Sequence, residues 1–147
     1  MYKKEKLNYL FSDLEPFIDT HTLGLHYNKH YQNYLNNLNM LLEKNNYKYN
    51  YSLPNLTKHL DEFREEDREN IKFNLGGVVN HNLYFKSISN IKVPPNDNLL
   101  KAINNKFGSF DSFKNEFIKA ALSIKGSGYT FLTMDKDKNL NIINLSN

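Results

Sequence analysis

The sequence predicts an α+β protein: an N-terminal long antiparallel helical hairpin followed by a C-terminal α/β part with an incomplete antiparallel sheet. Three observations carry this expectation. Two long stretches, about 20–44 and 65–88, repeat apolar residues three and four apart. Pro94-Pro95 closes the second stretch and marks a boundary between a helical hairpin domain, 1–92, and a C-terminal domain, 96–147. Beyond Gly126-Ser127-Gly128 the helical period breaks and the remainder reads as a single β-hairpin.

The first helix is expected from Thr20 to Lys44, with Leu23, His26, Tyr27, His30, Tyr34, Leu38, Leu41 and Leu42 on one face and Asp19 as its N-cap. Asn45 to Asn55 lacks a period and ends near Pro54, which reads as a loop. A short helical piece follows over Leu56 to Phe63, then the second long helix from Glu65. Its first turn, Glu65, Glu66 and Asp67, suits the positive end of a helix dipole. Within it Gly76-Gly77 costs about 1 kcal/mol per glycine against alanine, so something is expected to approach closely there. After the proline pair, one helix is expected over Asp97 to Phe107, with Leu99, Leu100, Ile103 and Phe107 inward and Gly108 as its stop. Another runs from Ser109 to Leu122 with Phe110, Phe113, Phe117 and Ala121 as its stripe. Strands at Tyr129–Met134 and Leu140–Leu145 flank a polar turn, and two strands alone are marginal.

Composition narrows the function classes. The chain has 147 residues, about one domain's worth, with 39% hydrophobic residues and a mean hydropathy of -0.67. Much of that polarity comes from 24 asparagines, spread along the chain and read as a background bias together with the excess of Lys, Ile and Tyr. A net charge of +3 from 19 basic and 16 acidic residues is too small and scattered to argue for nucleic acid or a membrane surface, while leaving a mild pull on small anions. Zero cysteines remove disulfides, thiolate metal sites and cysteine nucleophiles. No apolar h-region and no membrane-length apolar run is present, so a soluble protein in the cytoplasm is the default expectation. Any metal must be held by His21, His26, His30, His59, His81 or carboxylates.

His26 and His30 lie four apart with Tyr34 continuing the line, a spacing suited to a metal or a proton relay and equally to a half-buried polar stripe. His81 sits among Val78, Val79, Leu83 and Phe85, where its ring nitrogens need partners; a hydrogen-bonded core histidine satisfies that as well as a ligand does. His21 and His59 read as surface residues.

The order of the motifs resembles the iron/manganese superoxide dismutase family from about Leu7 to the last residue. The residues that carry the resemblance are Leu14-Glu15-Pro16-Phe17-Ile18-Asp19, His26-Tyr27-Asn28-Lys29-His30-Tyr31-Gln32-Asn33-Tyr34, Gly76-Gly77-Val78-Val79-Asn80-His81-Asn82-Leu83-Tyr84-Phe85, Phe107-Gly108-Ser109-Phe110-Asp111-Ser112-Phe113-Lys114 and Gly126-Ser127-Gly128. The resemblance implies that His26 and His81 are the first two metal ligands, that His30 and Tyr34 line a solvent channel and relay protons, and that Lys29 helps draw in superoxide. It also implies one manganese or iron ion per subunit, cycling between two oxidation states as superoxide becomes oxygen and hydrogen peroxide. Glycine at 77 points to manganese, with the space kept for a glutamine that would fall just after Asn147.

The departures set further expectations. The family's third and fourth ligands, in an Asp-x-x-x-His motif, would lie beyond Asn147, and no histidine follows His81. The chain therefore reads as a C-terminally truncated dismutase, expected to be inactive or nearly so alone, with an open sheet edge and poor solubility. The alternative is a degenerate, non-catalytic relative acting as a binding or structural protein. Phe85, Tyr129 and Phe131 stand where the family commonly has tryptophan. Full-length members form homodimers with His30 near the interface, and the missing segment leaves homodimerisation undecided here.

Overall fold

A computed structural model describes residues 1–146. The chain divides into two units, Met1–Lys92 and Val93–Asn147.

In the first unit, a helical rod runs from α1 (Thr20–Leu25) through a π-helical stretch (His26–Tyr31) into α2 (Gln32–Lys44). Asp19 caps it, its Oδ1 accepting the Thr22 N–H at 2.8 Å. The return helix is α4 (Glu65–Ser87). Two contacts fasten the end of α2 to the start of α4 and set them antiparallel. Lys44 Nζ meets Asp67 Oδ1 at 2.7 Å, and Asn45 Nδ2 donates to Asp67 Oδ2 at 2.9 Å. Asp67 is buried in the first turn of α4, where the helix dipole favours its charge, and these two donors hold its carboxyl below the usual range.

The core between the helices is built from Leu23, Tyr31, Leu35, Leu38 and Leu42 facing Ile71, Leu75, Val78 and Phe85. This departs from the face expected of the first helix, since Tyr31 and Leu35 are buried while His30 is exposed and Tyr34 half-buried. The π-helical stretch is the reason. At about 100° per residue an α-helix would carry residue 31 about 80° past the line of residue 23, and the slower winding of i→i+5 bonding cancels part of that rotation.

Between the helices the expected short helix of Leu56 to Phe63 is replaced by α3 (Leu53–Leu56) and a 3-10 turn at Leu60–Glu62. Pro54 stands in the first turn of α3, where its missing N–H costs nothing, so it starts a helix instead of ending a loop. The tyrosines of the preceding segment are structural. Tyr47 packs edge-on to Tyr49 at 5.2 Å and to Phe63 at 5.5 Å, Tyr2 packs on Tyr49 at 5.3 Å, and Tyr2 Oη donates to the Tyr51 carbonyl at 2.6 Å.

The second unit has α5 (Asp97–Phe107), α6 (Phe110–Leu122) and the strands β1 (Gly128–Met134) and β2 (Leu140–Ser146). Asn96 Oδ1 and Ser109 Oγ cap the two helices, and Gly108, at φ 83°, ends α5 in a conformation that side chains rarely adopt. The strands pair antiparallel in the register Gly128↔Ser146 to Met134↔Leu140, and among the described residues they form a two-stranded sheet. Asp135 Oδ1 organises the turn by accepting from the backbone N–H groups of Asp137 and Asn139. The inward stripes expected of the two helices are only half covered. Ile103 is buried, as is Leu140 of β2, whereas Leu99 and Phe110 stay 38% and 37% exposed. Two strands and two short helices do not enclose a core, so helical period alone does not decide burial here.

Candidate metal centre

The return of α4 against the rod brings His81 to His26, with ring centroids 4.9 Å apart and planes at 70°. The two come from different helices and far apart in sequence, a pairing that only the hairpin creates. His81 is 4% exposed, and its Nδ1 lies 2.6 Å from the Gly77 carbonyl one turn earlier. A carbonyl only accepts, so Nδ1 carries the proton and Nε2 is the nitrogen that presents a lone pair. Aromatic rings enclose the pair. Tyr84 and Phe85 lie 4.8 and 5.0 Å from His26, Tyr31 stacks on His81 at 5.4 Å and 11°, and Tyr34 lies 5.4 Å from His81.

Burial, together with His81 and His30 nearby, pushes the His26 imidazole down to about 4. Burial also lowers His81, against the opposing pull of the Gly77 carbonyl. Both rings are therefore neutral at pH 7, the state in which imidazole binds a metal.

His30 is exposed, with its ring 6.5 Å from His26, and Lys29 is exposed on the same stretch. Tyr34 rests between Phe73, at 5.6 Å, and Gly77. This corrects the expected reason for the glycine. A Cβ at residue 77 would stand 2.4 Å from Tyr34 Cδ1, so the room is filled by Tyr34 itself, while a Cβ at Gly76 would meet nothing within 4 Å. His21 is exposed; His59 is more engaged than expected, stacked on Tyr51 at 3.9 Å and 2.9 Å from Glu62.

The donor set is two neutral imidazoles. Among the described residues no group of three or more histidines or carboxylates is arranged to hold a metal ion. The residues present thus fit two coordination positions of a manganese or iron ion and not a closed site. Tyr31 and Tyr84 were not legible as site residues: the register of the π-helical stretch turns Tyr31 onto His81, and the return of α4 brings Tyr84 to His26.

A hairpin of two long helices thus brings a histidine from each into one aromatic pocket, and an α/β unit follows it in the chain. The alpha-hairpin domain of the iron/manganese superoxide dismutases matches residues 1–89, and the C-terminal domain of the same family matches residues 95–147. The chain is 36% identical over 146 residues to a superoxide dismutase [Mn] of Yersinia enterocolitica, covering 99% of this chain and 70% of that protein. It is 36% identical to superoxide dismutase [Mn] 1 of Leptolyngbya boryana, covering 99% and 59%, and 37% identical to a superoxide dismutase [Mn/Fe] of Methylomonas sp. (strain J), covering 95% and 69%. The chain belongs to the iron/manganese superoxide dismutase family, and it spans 59% to 70% of the length of these relatives. Among the described residues no helix is long and apolar enough to cross a membrane.

Proposed function

We propose that this chain provides the helical-hairpin half of a superoxide dismutase centre, with His26 and His81 as two ligands of one manganese or iron ion. The observation that carries the reading is the pair of neutral imidazoles, 4.9 Å apart on two helices, with the His81 tautomer set by the Gly77 carbonyl. When bound, the metal supplies the redox couple through which superoxide is converted to oxygen and hydrogen peroxide. The chain's own residues do the rest. The aromatic rings limit water around the pair and keep both imidazoles uncharged. Tyr34, seated against Gly77, and His30, toward solvent, would hold and pass the protons that peroxide formation requires. Lys29 would attract the superoxide anion. The manganese named for two of these relatives favours manganese.

A second reading, a non-catalytic relative that binds or scaffolds, is favoured by the absence of a third metal donor among the described residues. The discriminating experiment is metal titration and a dismutase assay on the full chain with His26→Ala and His81→Ala. Manganese or cobalt binding that either variant abolishes, with activity near zero, is the expected result. Metal binding unchanged in both variants refutes the ligand assignment, and no binding by the parent chain leaves the scaffold reading.

A further inference from the structure

Tyr31 is fully buried, at 0% exposure, in the π-helical stretch between His26 and α2, and it has no part in the reaction outlined above. Its ring lies almost parallel to the His81 imidazole, 5.4 Å away at 11°, and also flanks Phe85 at 5.9 Å and 20°. Its hydroxyl is used in both directions. The Glu5 backbone N–H donates to Tyr31 Oη at 2.9 Å, and Tyr31 Oη donates to Asn82 Oδ1, on the residue next to His81. Glu5 is itself anchored, since its carbonyl accepts from Tyr27 Oη at 2.5 Å and its carboxylate meets Lys86 Nζ at 3.1 Å.

We propose that Tyr31 is a positioning residue that fixes the plane of the His81 imidazole, by its ring face and by a hydroxyl bridge from the N-terminal arm to Asn82. The bond from His81 Nδ1 to the Gly77 carbonyl sets the tautomer. The Tyr31 ring, nearly parallel to the imidazole and pinned at its far end, adds to the restraint from His26, Tyr34 and Phe85 by holding the plane of the ring. The pinning matters because Tyr31 could otherwise rotate or slide with the histidine. An aromatic placed this way acts on His81 as a hydrogen-bonded outer partner acts on a ligand, through orientation and not through contact with substrate. The consequence for metal binding rests on the reading of His81 as a ligand; the orientation itself does not.

The test uses the full chain without metal, labelled with 15N and 13C at histidine, and compares the parent with Tyr31→Phe, Tyr31→Leu and Tyr9→Phe. Tyr9 is the control for a lost buried hydroxyl, since its Oη donates to the Phe85 carbonyl at 3.2 Å. The His81 ring signals, assigned by their loss in His81→Gln, should be narrow and shifted upfield in the parent by the Tyr31 ring. Tyr31→Leu should remove the upfield shift, Tyr31→Phe should broaden the signals, and Tyr9→Phe should leave them unchanged. Cobalt affinity, read from the visible spectrum, should fall about tenfold in Tyr31→Phe and not in Tyr9→Phe. Parent-like His81 signals in Tyr31→Phe, or an equal effect from Tyr9→Phe, overturn the proposal. Altered His81 signals in a protein that binds no cobalt even as the parent uphold the positioning role and refute the ligand reading instead.

Discussion

The two adjacent glycines of α4 offer a controlled measurement of what Tyr34 occupies. Replacing Gly76 by alanine adds a methyl group that meets nothing within 4 Å, so the change should express helix propensity alone and stabilise by about 1 kcal/mol. Replacing Gly77 by alanine gains the same propensity but places Cβ at 2.4, 2.6 and 2.7 Å from Tyr34 Cδ1, Cγ and Cε1. These atoms are at the base and side of a ring, so no small rotation of a chain end relieves them and the whole ring must leave. Overpacking of this kind costs about 1–3 kcal/mol. Gly77→Ala should therefore be about 1–3 kcal/mol less stable than Gly76→Ala, and its Tyr34 ring should move away from His81, from which it is now 5.4 Å. Urea unfolding of the two variants side by side, with the Tyr34 ring signals as a second readout, measures both effects. A Gly77→Ala protein as stable as Gly76→Ala, with unmoved Tyr34 signals, would refute the reasoning.

The metal-free hairpin should weaken in mild acid. The folded-state value of His26, about 4, lies below its ordinary 6.5, so the unfolded chain takes up the proton first and stability falls between those two values. The loss amounts to about 3 kcal/mol at most, with His81 acting in the same direction; urea midpoints at pH 7.5, 5.5 and 4.5 measure it, and His26→Gln should flatten most of the slope. In the first unit Leu38→Ala, at a fully buried position, should cost about 2–5 kcal/mol. Leu122→Ala, at a position 82% exposed, should stay within about 0.5 kcal/mol, and a comparable loss from both in thermal or urea unfolding would contradict the burial described.

Much of the fold is written in local pattern. Asp19 caps the first helix as expected and Gly108 stops α5, while Asn96 and Ser109 cap helices that begin within a residue of their expected starts, because capping and backbone restriction act within a few residues. The candidate site was legible mainly through resemblance. Spacing alone left His26 and His30 as an apparent pair, whereas in the structure His26 meets His81, and His30 lies exposed. The tyrosines at 2, 47, 49 and 51 read as compositional bias, since nothing local distinguishes a packed tyrosine from a solvated one.

By itself the sequence determined the two long helices and the two that follow them, the Asp19 cap, the Gly108 stop, the hairpin turn and the types of residue from which a metal site could be made, all consequences of interactions spanning one or two turns of chain. Only the tertiary structure decided that the π-helical stretch turns Tyr31 into the core, that Gly77 makes room for Tyr34, and that half-covered stripes remain on α5 and α6. Register and coverage are set by what packs opposite, and the residues opposite lie dozens of positions away along the chain.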